Sequence, residues 1–273
     1  QLLILGDYMQ GLYEFKGSDI RFLTLGELIW KEHPCLRTQQ FQKCTMKMSY
    51  RITNQMSHFV NNAMLGEPRM DACREDVPVQ YIRNSRFNLE RIVCAEINKL
   101  FSQGVKPNDI FILGPSVKGE RSNIRKLENM LVEKNIPCHV PMLENTDIDQ
   151  RVIDGKIVFS TFHCVKGRQR KYVFVVGFDN SYFKYYARNL QRDICPNTLY
   201  VACTRASNGL YVLESDTRRE DRPLEFLQMS HVDMKLVDYV QFKGQQKTLF
   251  LRNEDPPSNL PIKITPTELI KFI

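Results

Sequence analysis

Apolar runs of strand length recur along this chain, and stretches of helical periodicity lie between them. Strands are expected at 2–5, 46–49, 77–82, 109–113, 156–160, 172–177 and 209–213. Leu89, Ile92, Val93, Ile97, Leu100 and Phe101 keep one face of a helix over 88–102, with Gly104 just past its end. A second helix is expected over 123–134, where Ile124, Leu127, Met130 and Leu131 share a side and Ser122 stands as the cap. Strands separated by helices predict an α/β fold with a mainly parallel sheet. Ligands of such sheets bind outside the carboxyl ends of the strands, so the loops after strands are where chemistry is expected.

The loop after 109–113 reads GPSVKGERS, residues 114–122. It has the glycine spacing of a phosphate loop, but Glu120 stands where a lysine would neutralise phosphate. A carboxylate there repels the ligand, so the stretch reads as a strand-to-helix turn. No other stretch supplies G-x-x-x-x-G-K-[ST]. The sequence therefore lacks a triphosphate cradle of its own.

The net charge of +7 leans toward polyanionic partners. The lean sharpens between Gly155 and Arg192, where Lys156, Lys166, Arg168, Arg170, Lys171, Lys184, Arg188 and Arg192 face one acid, Asp179. Aromatics are interleaved there, including Phe162, Tyr172, Tyr182, Phe183, Tyr185 and Tyr186. A solvated face and a nucleic-acid surface both fit that pattern. None of the eight cysteines forms a C-x-x-C pair, which argues against zinc, and several lie within apolar runs as reduced core thiols do. An intracellular, reducing compartment (cytoplasm or nucleus) is expected. With no signal peptide and no apolar run near membrane length, no membrane partner is expected.

Four stretches carry the strongest signal: GDYMQGLYEFKG from Gly6, SYR from Ser49, TFHCVKG from Thr161 and LYVACTRA from Leu199. In this order they resemble the third to sixth motifs of UvrD/Rep-type superfamily-1 DNA helicases. The segment LGPSVKGERSNIRKLENMLVEKNIPCHV also resembles the strand-helix-strand between that family's fourth and fifth motifs. The resemblance runs from residue 2 to about 214. It implies a RecA-like parallel sheet with flanking helices, and an ATP-dependent helicase or translocase moving 3′ to 5′ on single-stranded DNA.

The resemblance also assigns roles. Gln10 would reach the terminal phosphate of ATP, and Arg51 and Arg205 would supply positive charge to the transferring phosphoryl group. Tyr50 would stack on the adenine, and Gln169, where the family usually has glutamate, would hold the ribose. Tyr13 and Phe15 match a stacking pair for DNA bases, with Lys16 in place of the usual arginine, and His163 and Lys166 match strand-facing residues. Mg2+ would be held mainly by the first RecA-like domain, and no metal-binding residue is expected within this sequence.

By the same resemblance, residues 1–30 are expected to be the end of a first RecA-like domain. Residues 31–215 would form the second, and 216–273 an extension or the start of a further domain. The opening 25 residues or so would be poorly anchored without their sheet partners. The strand-helix-strand fills most of the interval from Arg51 to Thr161, so the family's accessory subdomain is expected to be absent or vestigial. Two alternatives stand beside this reading. One is a non-catalytic nucleic-acid-binding module, which would have no use for Gln10, Arg51 and Arg205. The other is the helicase part of a helicase-nuclease fusion.

Overall fold

The computed structural model describes residues 3–13, 17–38, 40–85, 88–117, 123–141, 150–215 and 224–244. Its strands are β1 (Met48–Ser49), β2 (Asp71–Ala72), β3 (Val79–Asn84), β4 (Ile110–Gly114), β5 (Cys138–His139), β6 (Ile157–Thr161), β7 (Arg170–Val176), β8 (Ala206–Ser215) and β9 (Val240–Gly244). The helices are α1 (Arg21–Thr24), α2 (Gly26–Lys31), α3 (Asn54–His58), α4 (Leu89–Ser102), α5 (Asn123–Glu133), α6 (Gln150–Ile153), α7 (Ser181–Tyr185), α8 (Asn197–Cys203) and α9 (His231–Leu236). A π-helical turn, Phe59–Leu65, continues α3.

Among the described residues, seven strands form one sheet in the order β5-β6-β4-β7-β8-β3-β9, with every ladder parallel. The sequence explains why. IFILG in β4 and IVFST in β6 are buried at every position, as parallel strands covered on both faces must be. Alternate residues feed two cores. Phe111, Leu113, Val173, Val175 and Val212 pack with α8 and the α3 region, while Ile110, Ile112, Phe159, Phe174 and Leu213 pack with α4 and α5. The α/β fold with a parallel sheet and flanking helices is as expected.

Helix α4 buries Leu89, Val93, Ile97 and Leu100, and the chain leaves it through Gly104 at φ +85°, a conformation that suits glycine. The expected cap of α5, Ser122, lies outside the described residues, as does most of GPSVKGERS. Its two ends do join strand to helix: β4 stops at Gly114 and α5 starts at Asn123. A Cβ at Gly114 would collide with Ile124 Cδ1, so α5 closes directly over the strand end.

Three expectations change. No strand forms over the described part of 2–5, where Leu3 and Leu5 are 78% and 71% exposed with no neighbouring edge to pair. The run at 46–49 shortens to β1, paired only with β2. The tail contributes to the sheet, because β9 pairs with β3 from Val79↔Val240 to Arg83↔Gly244. It is pinned through Glu214, 3% exposed, which accepts from Tyr81 Oη at 2.8 Å and lies 2.7 Å from His231 Nε2. No helix among the described residues is long and apolar enough to cross a membrane.

Candidate nucleotide and nucleic-acid sites

The opening segment is anchored more firmly than its apolar start suggests. Asp7 caps a 3-10 turn, Tyr8–Gln10, by accepting from the Met9 amide at 3.0 Å. Asn197 at the start of α8 donates to the carbonyls of Tyr8 (3.1 Å) and Gly11 (3.0 Å). Met9 and Leu12 are buried in the same core layer as α8. Weak anchoring therefore does not extend to residues 7–13, although α1 buries none of its residues. Over 7–13 the chain docks on α8.

That docking brings Gln10 to Arg205. The arginine sits between α8 and β8 and is 2% exposed. Its Nε donates to the Val201 carbonyl at 3.0 Å, Nη1 to that of Arg168 at 3.5 Å, and Nη2 to Gln10 Oε1 at 3.2 Å. The Gln10 amide is fixed from its other end, since Nε2 donates to Asp7 Oδ2 at 3.0 Å. Asp7 is itself taken up by Arg69 at 2.5 Å and by Tyr200 Oη at 3.3 Å.

Arg51 completes the cluster. It follows β1, and its carbonyl accepts from Arg74 Nη2 at 3.1 Å; the same nitrogen donates to the carbonyl of Ser207 in β8. The Arg51 Nε is buried without a hydrogen-bond partner among the described residues. Burial lowers the Arg51 pKa. For Arg205, burial first and the charge of Arg51 second bring it down to about 10. Two partly desolvated guanidinium groups thus repel each other, and the carboxylate of Asp7, which opposes this in part, is shared with Arg69 and Tyr200. Such an arrangement is relieved by an anion.

Gln169 lies exposed between Arg168, whose carbonyl receives Arg205, and Arg170, whose amide donates to the Arg205 carbonyl at 3.2 Å. Tyr50 is 82% exposed next to Arg51, with its ring open to solvent. Gln10, Arg51, Arg205, Tyr50 and Gln169 therefore gather at one end of the sheet. That end is not the expected one. Arg205 and Gln169 immediately precede β8 and β7, so the cluster stands at the amino ends of the strands. At the carboxyl ends of β4 and β7, Pro115 packs close to Gly177.

A second cluster joins Tyr13, His163 and Lys166. The Tyr13 hydroxyl donates to the His163 carbonyl at 3.0 Å, and Lys166 Nζ lies 5.3 Å from the centre of the Tyr13 ring. Cation and aromatic share one surface, as contacts to nucleic-acid bases and phosphates require. Phe15 and Lys16 lie outside the described residues. Among the described residues no group of three or more His, Cys, Asp or Glu could hold a metal ion.

Asp7, Arg69 and Tyr200 were not singled out by sequence reasoning. The first had a signal: an Asp three residues before Gln10 can cap the turn that presents it. Arg69 had none, because its partner is remote in sequence.

No protein-family model and no curated protein matches the sequence. Among solved structures, the chain is similar to the C-terminal domain of a possible DNA helicase from Lactobacillus plantarum. The two are 15% identical with a TM-score of 0.46, over 72% of this chain and 99% of that one.

Proposed function

We propose that the chain carries the second RecA-like motor domain of an ATP-dependent DNA helicase or translocase. In this reading it acts on single-stranded DNA in the 3′ to 5′ sense. Residues 1–30 close a first RecA-like domain, 31–215 form the second, and 216–273 extend it. The phosphate loop and the Mg2+ ligands belong to the facing domain. The observation that carries this reading is the 3.2 Å contact between Gln10 and Arg205 beside an Arg51 whose Nε has no hydrogen-bond partner among the described residues.

ATP, when bound, supplies a transferable phosphoryl group whose negative charge must be stabilised in flight. Arg51 and Arg205 fit that need. Their positive charge is held in place and partly stripped of water, so little reorganisation precedes the reaction. The open face of Tyr50 stacks on the adenine, and Gln169 offers the ribose a hydrogen bond. Gln10 changes partner from Arg205 to phosphate, and three residues later Tyr13 touches the strand-facing loop. One short segment thereby links nucleotide state to grip on DNA.

The test is phosphate release by the full-length protein and by residues 1–273, each with and without single-stranded DNA. The full-length protein should show DNA-stimulated turnover and the shorter chain none above background. Robust turnover by residues 1–273, or none by the full-length protein with DNA, overturns the proposal.

A further inference from the structure

We propose that the surface from Lys184 to Arg192 is a second contact for single-stranded nucleic acid, beside the loop that carries His163 and Lys166. This rests on the reading of that loop as strand-facing. Buried rings hold α7 in place. Tyr182 and Phe183 are 3% and 1% exposed. The Tyr182 hydroxyl lies 2.5 Å from Thr198 Oγ1, and its ring packs 5.9 Å from Phe162, the residue just before His163. Phe183 meets Phe226 edge-on at 6.4 Å. The helix is thus pinned from inside, directly beside the strand-facing loop.

The residues that follow turn outward. Tyr185 and Tyr186 are 56% and 53% exposed, two adjacent rings with much of their surface in water. Lys184 Nζ stands 5.4 Å from the Tyr185 ring centre, and Arg188 Nε donates to the Lys184 carbonyl at 3.0 Å, which holds the second cation against the same helix. Arg192 is half-exposed and only loosely paired with Glu225, at 3.6 Å. Of the acids nearby, Asp179 is buried and accepts from the amides of Ser181 and Ser215, so it does not neutralise the surface. Asp193 is exposed, leaving three cations against it and Glu225.

Aromatic faces with cations at their edges grip single strands without reading sequence, since every base has a face and every nucleotide a phosphate. A protein partner could also use exposed tyrosine and arginine. The excess of positive charge and the packing of α7 on Phe162, next to His163, favour the polyanion.

The experiment measures binding of short and long fluorescent oligothymidylates and oligouridylates to the full chain. It compares the wild type with Tyr185→Ala/Tyr186→Ala, Lys184→Ala/Arg188→Ala and Tyr13→Ala, with circular dichroism to verify folding. The tyrosine pair should lower affinity for long strands about tenfold or more, and short strands should be affected less. The cation pair should reduce the slope of log affinity against log salt by about one to two. The two sugar types report whether the surface prefers DNA or RNA. If Tyr13→Ala weakens binding and the other variants bind long strands as the wild type does, the inference is wrong and the proposed function stands. If the wild type binds no single strand at all, the proposed function fails and the inference with it. If the tyrosine pair matters and Tyr13 does not, the surface is the main contact and the Tyr13 assignment is wrong. Loss of self-association in place of strand binding, seen by sedimentation, would make this face a protein interface and overturn the inference.

Discussion

Two buried arginines stand at the amino ends of neighbouring strands, and they differ in what surrounds them. Arg170 opens β7 and is 8% exposed. It donates to the carbonyls of Lys156 (2.7 Å), Pro107 (3.3 Å), Ile110 (3.5 Å) and Ile153 (3.4 Å), and lies over the Phe111 ring at 4.9 Å. Burial lowers its pKa to about 10, the charges of Asp109 and Asp154 oppose the shift, and that of Arg168 adds to it last. Arg205, just before β8, reaches the same value with Arg51 the second cause after burial, ahead of the opposing Tyr200 and Asp7. One cation is answered by its own fold, carbonyl by carbonyl. The other is held beside a like charge, with one nitrogen resting on a side chain from a different segment. A buried arginine answered by the carbonyls of its own fold ties strands together, whereas one held beside a second buried guanidinium invites an anion.

The largest test of this contrast is Arg205→Ala in the full-length protein. Turnover of ATP should fall by about three to five orders of magnitude, the usual worth of an arginine finger, with single-strand binding little changed. Steady-state phosphate release, corrected for the folded fraction, measures it. Near-normal turnover would place Arg205 with Arg170 as a structural residue.

Arg170→Ala should do the reverse. Leaving several buried carbonyls without their donor should lower stability by about 3 kcal/mol, read from urea unfolding, and turnover per folded molecule should persist. Stability equal to the wild type would mean that water replaces the guanidinium, and the contrast would lose one of its halves.

How much of this was legible beforehand depends on what each residue reports. The strands β3, β4, β6, β7 and β8 were readable because each holds a short stretch rich in β-branched, aromatic or other apolar residues, too short for a helix of ordinary length. The strand β9 was not. Val240 and Phe242 alternate over too few residues, within a charged tail, and only the open edge of β3 gives them a partner. At the site, Arg205 and Arg170 look alike in sequence, each a cation before an apolar run. Arg170 read as part of a basic stretch that fits a solvated face or a nucleic-acid surface, and the structure buries it. Only its motif set Arg205 apart. His163 and Lys166 follow the carboxyl end of β6, where such groups were expected, whereas Arg205 and Gln169 precede strands and Gln10 comes from a separate segment. Burial, like charge and an unpaired Nε are properties of the assembled fold, and no local pattern encodes them.

A smaller effect should follow from adding pyrophosphate to residues 1–273. An anion that relieves the Arg51–Arg205 repulsion should raise stability by about 1.4 kcal/mol at ten times its dissociation constant. The shift should survive Arg170→Lys and vanish in Arg205→Met. Thermal melts across a pyrophosphate series provide the comparison. An equal shift in Arg205→Met would locate the anion elsewhere on this basic chain.

Arg51→Met should produce the smallest change, and in an unusual direction. Methionine keeps much of the side-chain volume but brings no charge and no donor, so it removes both the unpartnered Nε and the repulsion felt by Arg205. An unsatisfied buried donor costs about 1–3 kcal/mol, and lost solvation of the remaining arginine recovers part of that. The expected outcome without anion is a gain of about 1 kcal/mol, or about 2–4 °C in melting temperature for a domain of this size. With pyrophosphate present the wild type should catch up, because the anion satisfies in the native protein what the substitution removed. Turnover in the full-length variant should fall sharply even though the protein has become more stable. That pairing of higher stability with lower activity separates a residue kept for an anion from one kept for the fold. A lower melting temperature in Arg51→Met would show that Arg51 supports the fold as Arg170 does.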